Sequence, residues 1–131
     1  MTADRHDEDA VIEANAAFYR AIETLDAEQL EAVLAREEPV RVVHPGWPLV
    51  SGRAAVKASW ERIFDNAGMM QFTISDTECH VEGGLAWVIC MEHLTSVQGG
   101  RVIEGLVATT NIYRREGGEW RIAHHHGSPV M

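Results

Sequence analysis

The 131-residue sequence predicts an α+β domain: three N-terminal helices packed across one face of a single curved antiparallel sheet. Two observations carry that expectation. Through the first half of the chain apolar residues recur at steps of three and four, and beyond Gly68 the period falls to two. Three glycine pairs, Gly83-Gly84, Gly99-Gly100 and Gly117-Gly118, punctuate the alternating half. Such a pair between two alternating runs signals a tight hairpin, because the favoured turns need positive φ.

Each element has a local cause. Between residues 7 and 25, Val11, Ala14, Phe18, Ile22 and Leu25 make one helical stripe. Asp26 can cap a second helix, with Gln29 three residues on to complete a capping box, and Leu30, Val33 and Leu34 form its buried side. Pro39 and the alternation through residues 40–44 turn the chain extended. His44-Pro45-Gly46-Trp47-Pro48 cannot lie inside a helix, since two prolines and a glycine fall within four residues. Ser51-Gly52 opens the third helix, which puts Val56, Trp60, Ile63 and Phe64 on one face. Strands follow over 71–81, 85–97, 101–115 and 119–126 as a meander.

Composition narrows the function classes. With 46% hydrophobic and 24% charged residues the chain is globular, and its length suits one domain over residues 1–131. A formal net charge of −9 argues against partners that are nucleic acids or anionic membrane surfaces, both of which reward basic groups. The polar N-terminus carries no secretory pattern, and no run of about 18 apolar residues occurs. Cys79 and Cys90 have no metal-type or redox-type spacing and read as reduced thiols, so the expected location is cytoplasmic.

Plain two-residue turns would fix which side chains share a face. Around Gly99-Gly100, Cys90 pairs with Thr109 and Glu92 with Val107. Around Gly117-Gly118, Tyr113 pairs with Ile122, Asn111 with His124, and Thr109 with His126. One face then gathers Glu92, Thr109, Asn111, Tyr113, His124 and His126 among apolar neighbours. The other gathers Trp87, Ile89, Met91 and Ile112 and sends His125 outward. The first face is expected to line a pocket under the helices, and the second to join two copies of the chain as a homodimer. A bulge would swap the assignments beyond it, since a one-residue slip flips every side chain.

The expected chemistry follows from that first face. His44 or His126 would be the base of an acid–base mechanism, Glu92 would orient an imidazole, and Asn111 or Tyr113 would donate to a developing enolate oxygen. Phe18, Trp47, Trp60, Thr109 and His124 complete the expected ligand contacts, for a small apolar or carboxylated molecule. His124 and His126 could share an ion with His44 or Glu92, but an i, i+2 pair alone does not specify a metal, and no metal or cofactor is expected. The chain has no phosphate loop and no serine elbow. A non-catalytic binding or dimerisation module is the alternative.

The segment 18–26, the run His44-Pro45-Gly46-Trp47-Pro48 with Gly52-Arg53, the stretch Ala108-Thr109-Thr110-Asn111-Ile112-Tyr113 and the histidine-rich end resemble the nuclear transport factor 2-like superfamily. Within it, the chain is similar to the SnoaL-like, ketosteroid-isomerase-like proteins. The resemblance implies a cone-shaped fold, dimerisation through the outer sheet face, and a function among isomerases, cyclases, dehydratases or binding modules. Steroid isomerases set an Asp base against a Tyr and a protonated Asp. By that resemblance His44 stands where the base would lie and Phe18 where the phenol donor would lie, with Tyr19 one residue on and facing elsewhere.

Overall fold

The computed structural model describes residues 5–131, so the first four residues of the polar N-terminal segment lie outside the described part. The order is α1 (Arg5–Glu23), α2 (Ala27–Val33), β1 (Arg41–Val43), β2 (Val50–Ser51), α3 (Arg53–Asp65), β3 (Met69–Glu82), β4 (Leu85–Gln98), β5 (Arg101–Glu116) and β6 (Glu119–Pro129). Three helices pack on one curved, unclosed sheet of order β2-β1-β6-β5-β4-β3. The four long strands form the expected antiparallel meander. The sheet as a whole is mixed, because the short β1 runs parallel to β6. No helix among the described residues is long and apolar enough to cross a membrane.

The helices are positioned by ordinary devices. Asp26 caps α2, accepting the Glu28 backbone N–H at 2.9 Å. The return arm expected from Gln29 is absent from the hydrogen bonds of the described residues. Gly52 precedes α3 at φ 103°, a backbone conformation that favours glycine. Arg53 then ties α3 to α2, donating to the Ala35 carbonyl at 3.0 Å and to Glu31 at 3.0 Å. α1 buries Val11, Asn15, Phe18, Tyr19, Ala21 and Ile22. That face is wider than the apolar stripe alone and takes in two polar residues.

Both later glycine pairs form the expected turns, with all four glycines at positive φ and with Gln98 facing Arg101 and Glu116 facing Glu119. Across β4 and β5 the pairing follows: Cys90 lies opposite Thr109, and Glu92 opposite Val107. β6 departs from it. Tyr113 still meets Ile122, but Ala123 is an extra residue, after which Ile112 meets His124, Asn111 meets His125 and Thr110 meets His126. The bulge leaves both Ile122 and Ala123 buried and reverses every side chain beyond them. The expected pairs Asn111–His124 and Thr109–His126 are therefore not made. His125 turns inward, and His124 and His126 turn outward.

Two contacts hold this arrangement. β1 pairs Arg41 with His124, Val42 with His125 and Val43 with His126. Paired residues share a side, so the buried Val42 marks His125 as inward, and His44, two residues beyond Val42, shares that parity. At Gly127, a Cβ would come within 2.9 Å of Val107 Cγ1 and 3.2 Å of the Pro45 ring. Only glycine permits the loop after His44 to close this tightly on β6.

Candidate functional site

Between α1, α3 and the concave side of the sheet lies a cavity of about 200 Å3. Its apolar wall includes Ile22, Trp47, Trp60, Ile63, Met70, Phe72 and Leu94, and its polar contributions come from His44, Glu92, Gln98 and His125. α1 supplies the groups behind the cavity, α3 supplies Trp60, and β4 and β6 supply Glu92 and His125.

A continuous hydrogen-bond chain stands behind the cavity. Tyr113 donates its hydroxyl hydrogen to Asn15 Oδ1 at 2.6 Å. The same oxygen accepts from Asn111 Nδ2 at 2.9 Å, and Asn111 Nδ2 also reaches Tyr19 Oη at 3.1 Å. Tyr19 donates to Glu92 Oε2 at 2.6 Å. With its amide nitrogen so engaged, Asn111 turns Oδ1 to His125 Nδ1, 2.6 Å away. A carbonyl oxygen only accepts, so His125 carries its proton on Nδ1 and leaves Nε2 with a lone pair. The ring lies between Phe18, at 5.1 Å between centroids, and Trp60, at 5.9 Å.

His44 is fixed by the same logic. Ser59 gives its hydroxyl hydrogen to the Val56 carbonyl at 2.7 Å and sits 2.9 Å from His44 Nε2. The serine oxygen must then accept from Nε2–H, which leaves Nδ1 unprotonated. Trp60 packs edge-on to the His44 ring at 4.5 Å, and Trp47 at 4.8 Å.

Burial sets the charge states. It pushes the His125 imidazole down to about 3, helped by the neighbouring His44, His124 and His126, and pushes His44 down to about 4. Both rings are neutral at neutral pH. Burial raises the Glu92 carboxyl above its ordinary range, against the opposing hydrogen bond from Tyr19. Thr109 Oγ1 is buried with no partner at ordinary hydrogen-bond distance. The Tyr19 hydroxyl is raised by burial and by the Glu92 charge, so it stays a donor.

The expected site residues fall into three groups. His44, Trp47, Trp60 and Glu92 line the cavity together. Phe18, Thr109, Asn111 and Tyr113 are buried but do not line it, and the donor groups of Asn111 and Tyr113 are already engaged by Asn15 and Tyr19, so neither is free to serve an enolate oxygen. His126 is exposed and His124 half-buried on the outer face, so the Glu92–His126 pair does not form. The bulge is the reason. It also separates His124 and His126 from His44 and Glu92, and no group of three metal-ligating side chains occurs among the described residues. The expected set leaves out the cavity residues Phe72 and Gln98 and the supporting Asn15 and Tyr19, and it sends His125 to the outer face. Tyr19 does not face elsewhere but reaches the carboxyl of Glu92.

Residues 11–131 match the family described as a SnoaL-like domain. Among solved structures, the chain is 34% identical to a candidate dehydratase of the NTF2-like family from Streptomyces avermitilis, with a TM-score of 0.91 and coverage of 98% of this chain and 99% of that one. It is 32% identical to a candidate calcium/calmodulin-dependent protein kinase type II association domain from Thiobacillus denitrificans, with a TM-score of 0.80 and coverage of 90% and 93%. A curated relative, the F-box protein SKIP8 of Arabidopsis thaliana, is 25% identical over 122 residues, 93% of this chain but 50% of that protein. The chain thus spans about half the length of that relative.

Proposed function

The chain belongs to the SnoaL-like domain family, and from that premise we propose that it binds a small carbonyl compound in the cavity and carries out cofactor-free acid–base chemistry on it, of the isomerase or dehydratase kind. The observation that supports this reading is one imidazole held in a single tautomer, His125, in the same 200 Å3 cavity as a buried carboxyl, Glu92. In the reaction, a proton leaves the carbon next to the carbonyl for His125 Nε2. Burial disfavours the imidazolium so formed, which makes abstraction the demanding step and return of the proton, either to another carbon or to a departing hydroxyl that leaves as water, the easy one. Trp47 and Trp60 line the cavity, and each carries an indole N–H of the kind that can meet the charge developing on the carbonyl oxygen. His44 and Glu92 supply further proton-accepting positions. The likeness to a candidate dehydratase at 34% identity supports the same reaction class.

Deuterium exchange tests this directly. Small ketones and β-hydroxy ketones incubated with the protein in D2O should incorporate deuterium beside the carbonyl, or lose water, and His125→Gln should abolish the protein-dependent rate. Ketones that bind in the cavity yet show no exchange above buffer would remove the catalytic reading.

A second reading, a binding or assembly module without catalysis, has its own support. The 32% identical structure is described as an association domain and the curated relative as an F-box protein. The outer sheet face bears on assembly under either reading. Ile89 is 46% exposed beside the half-buried Trp87, Met91 and Ile112, and pairing of two copies through this face would cover it.

A further inference from the structure

The protons around the cavity can be counted. His125 spends its N–H on Asn111, His44 spends its N–H on Ser59, and the hydroxyl of Tyr19 is spent on Glu92. What these three cavity-lining side chains, His44, His125 and Glu92, have left over is lone pairs: Nδ1 of His44, Nε2 of His125 and, in the ionised carboxylate, the second oxygen of Glu92. The remaining donors of the lining, the two indoles and the Gln98 amide, are uncharged. Among the described residues that line the cavity none is lysine or arginine. The Arg62 guanidinium stands 5.2 Å from the Trp47 ring centroid and outside the lining, and a buried negative charge with no cation in direct contact costs several kcal/mol.

We propose that the cavity selects an uncharged one-ring ligand that brings its own hydroxyl hydrogen, an alcohol, phenol or hydroxy ketone, and rejects carboxylates of the same shape. The hydroxyl hydrogen completes one of the waiting lone pairs while the ring meets Trp47, Trp60 and Phe72. Size agrees: about 150 Å3 of apolar space already accepts benzene, and this cavity offers about 200 Å3. Such selectivity removes the carboxylated half of the ligand class that the sequence suggests. It also deepens the proposed function and rests on it in one respect only, that this cavity is the ligand site.

Three one-ring probes of similar size separate the possibilities: toluene, benzyl alcohol and benzoate, titrated against the full chain at pH 7 and followed by protein NMR shifts of cavity residues. Benzyl alcohol should bind about 3- to 10-fold more tightly than toluene, the worth of one net hydrogen bond, and benzoate should bind most weakly. Glu92→Gln removes the negative charge and adds an amide donor, so it should narrow or invert the gap between benzoate and benzyl alcohol. His125→Phe should bring benzyl alcohol and toluene together, and its folding is checked by retained cavity-residue shifts with toluene. Benzoate binding as tightly as benzyl alcohol in the unmodified protein, or toluene matching it, overturns the donor rule while leaving the cavity as the ligand site. Absence of all three probes from the cavity overturns both the rule and the site reading.

Discussion

His125 Nδ1 and Asn111 Oδ1 lie 2.6 Å apart across the β5–β6 ladder, and this pair fixes which nitrogen of the imidazole can take a proton. Asn111 can present its oxygen only because Asn15 and Tyr19 hold its nitrogen. Asn111→Ala should therefore release the tautomer: imidazole nitrogen shifts in labelled protein should move from one Nδ1–H form towards a mixture. The change also leaves the buried His125 N–H without its acceptor, while Asn15 keeps Tyr113 and Tyr19 keeps Glu92, for a stability loss of about 1–3 kcal/mol by denaturant titration. A variant that keeps the single tautomer would show that Asn111 is not its cause.

The dependence of stability on pH has a defined sign. In the unfolded chain the two cavity histidines titrate near 6.5, whereas folded they remain neutral down to about 4 for His44 and about 3 for His125. Below 6.5 the unfolded state binds protons that the folded state refuses, so stability falls as pH drops, by up to about 1.4 kcal/mol per pH unit for each ring. Glu92 acts oppositely. Its folded pKa lies above 4.5, so just above that pH the folded state keeps a proton the unfolded chain has lost, and stability falls as pH rises through that window. Glu92→Gln should steepen the acid limb between pH 4.5 and 6.5, and His125→Gln should flatten it. Parallel limbs in urea titrations of all three proteins would contradict the assignment.

Gly127 is the tightest point of the β6 packing, and a methyl group there meets the stiff side chain of Val107 at 2.9 Å. Gly127→Ala should cost about 1–3 kcal/mol as overpacking and shift the resonances of Pro45 and Trp47. Gly105, where an added Cβ meets nothing within 4 Å, serves as the control, and Gly105→Ala should be near neutral. Equal effects at the two positions would refute the packing argument.

Assembly is tested on the outer sheet face. The chain, of 14.6 kDa, should scatter light as a dimer, and Ile89→Glu with Ile112→Glu should give monomers that retain the fold. Dimers that survive both charges must use another surface.

The parts of the fold that were legible in the sequence are those with local causes. Gly99-Gly100 set the β4–β5 register, and with it the inward side of Glu92, because a primed two-residue turn leaves no freedom of parity. The partnership of β1 with β6 was not legible, since parallel pairing has no adjoining turn to announce it. Asn15 and Tyr19 escaped because they are polar residues on a buried helix face, although Val11, Asn15 and Tyr19 form an i, i+4 ladder beside Phe18 and Ile22. His125 escaped because of one extra residue. Its only trace is the adjacent apolar pair Ile122-Ala123, which interrupts the alternation where the strand bulges.

That extra residue gives the histidine triplet a meaning beyond any one of its members. Were the last strand to slide by one position, as the unbulged pairing would have it, His124 would replace His125 opposite Asn111. The same slide would bring His126 opposite Thr109, into the place where Gly127 leaves no room even for a Cβ, so the kinked frame is the one in which an imidazole and a glycine both find their seats.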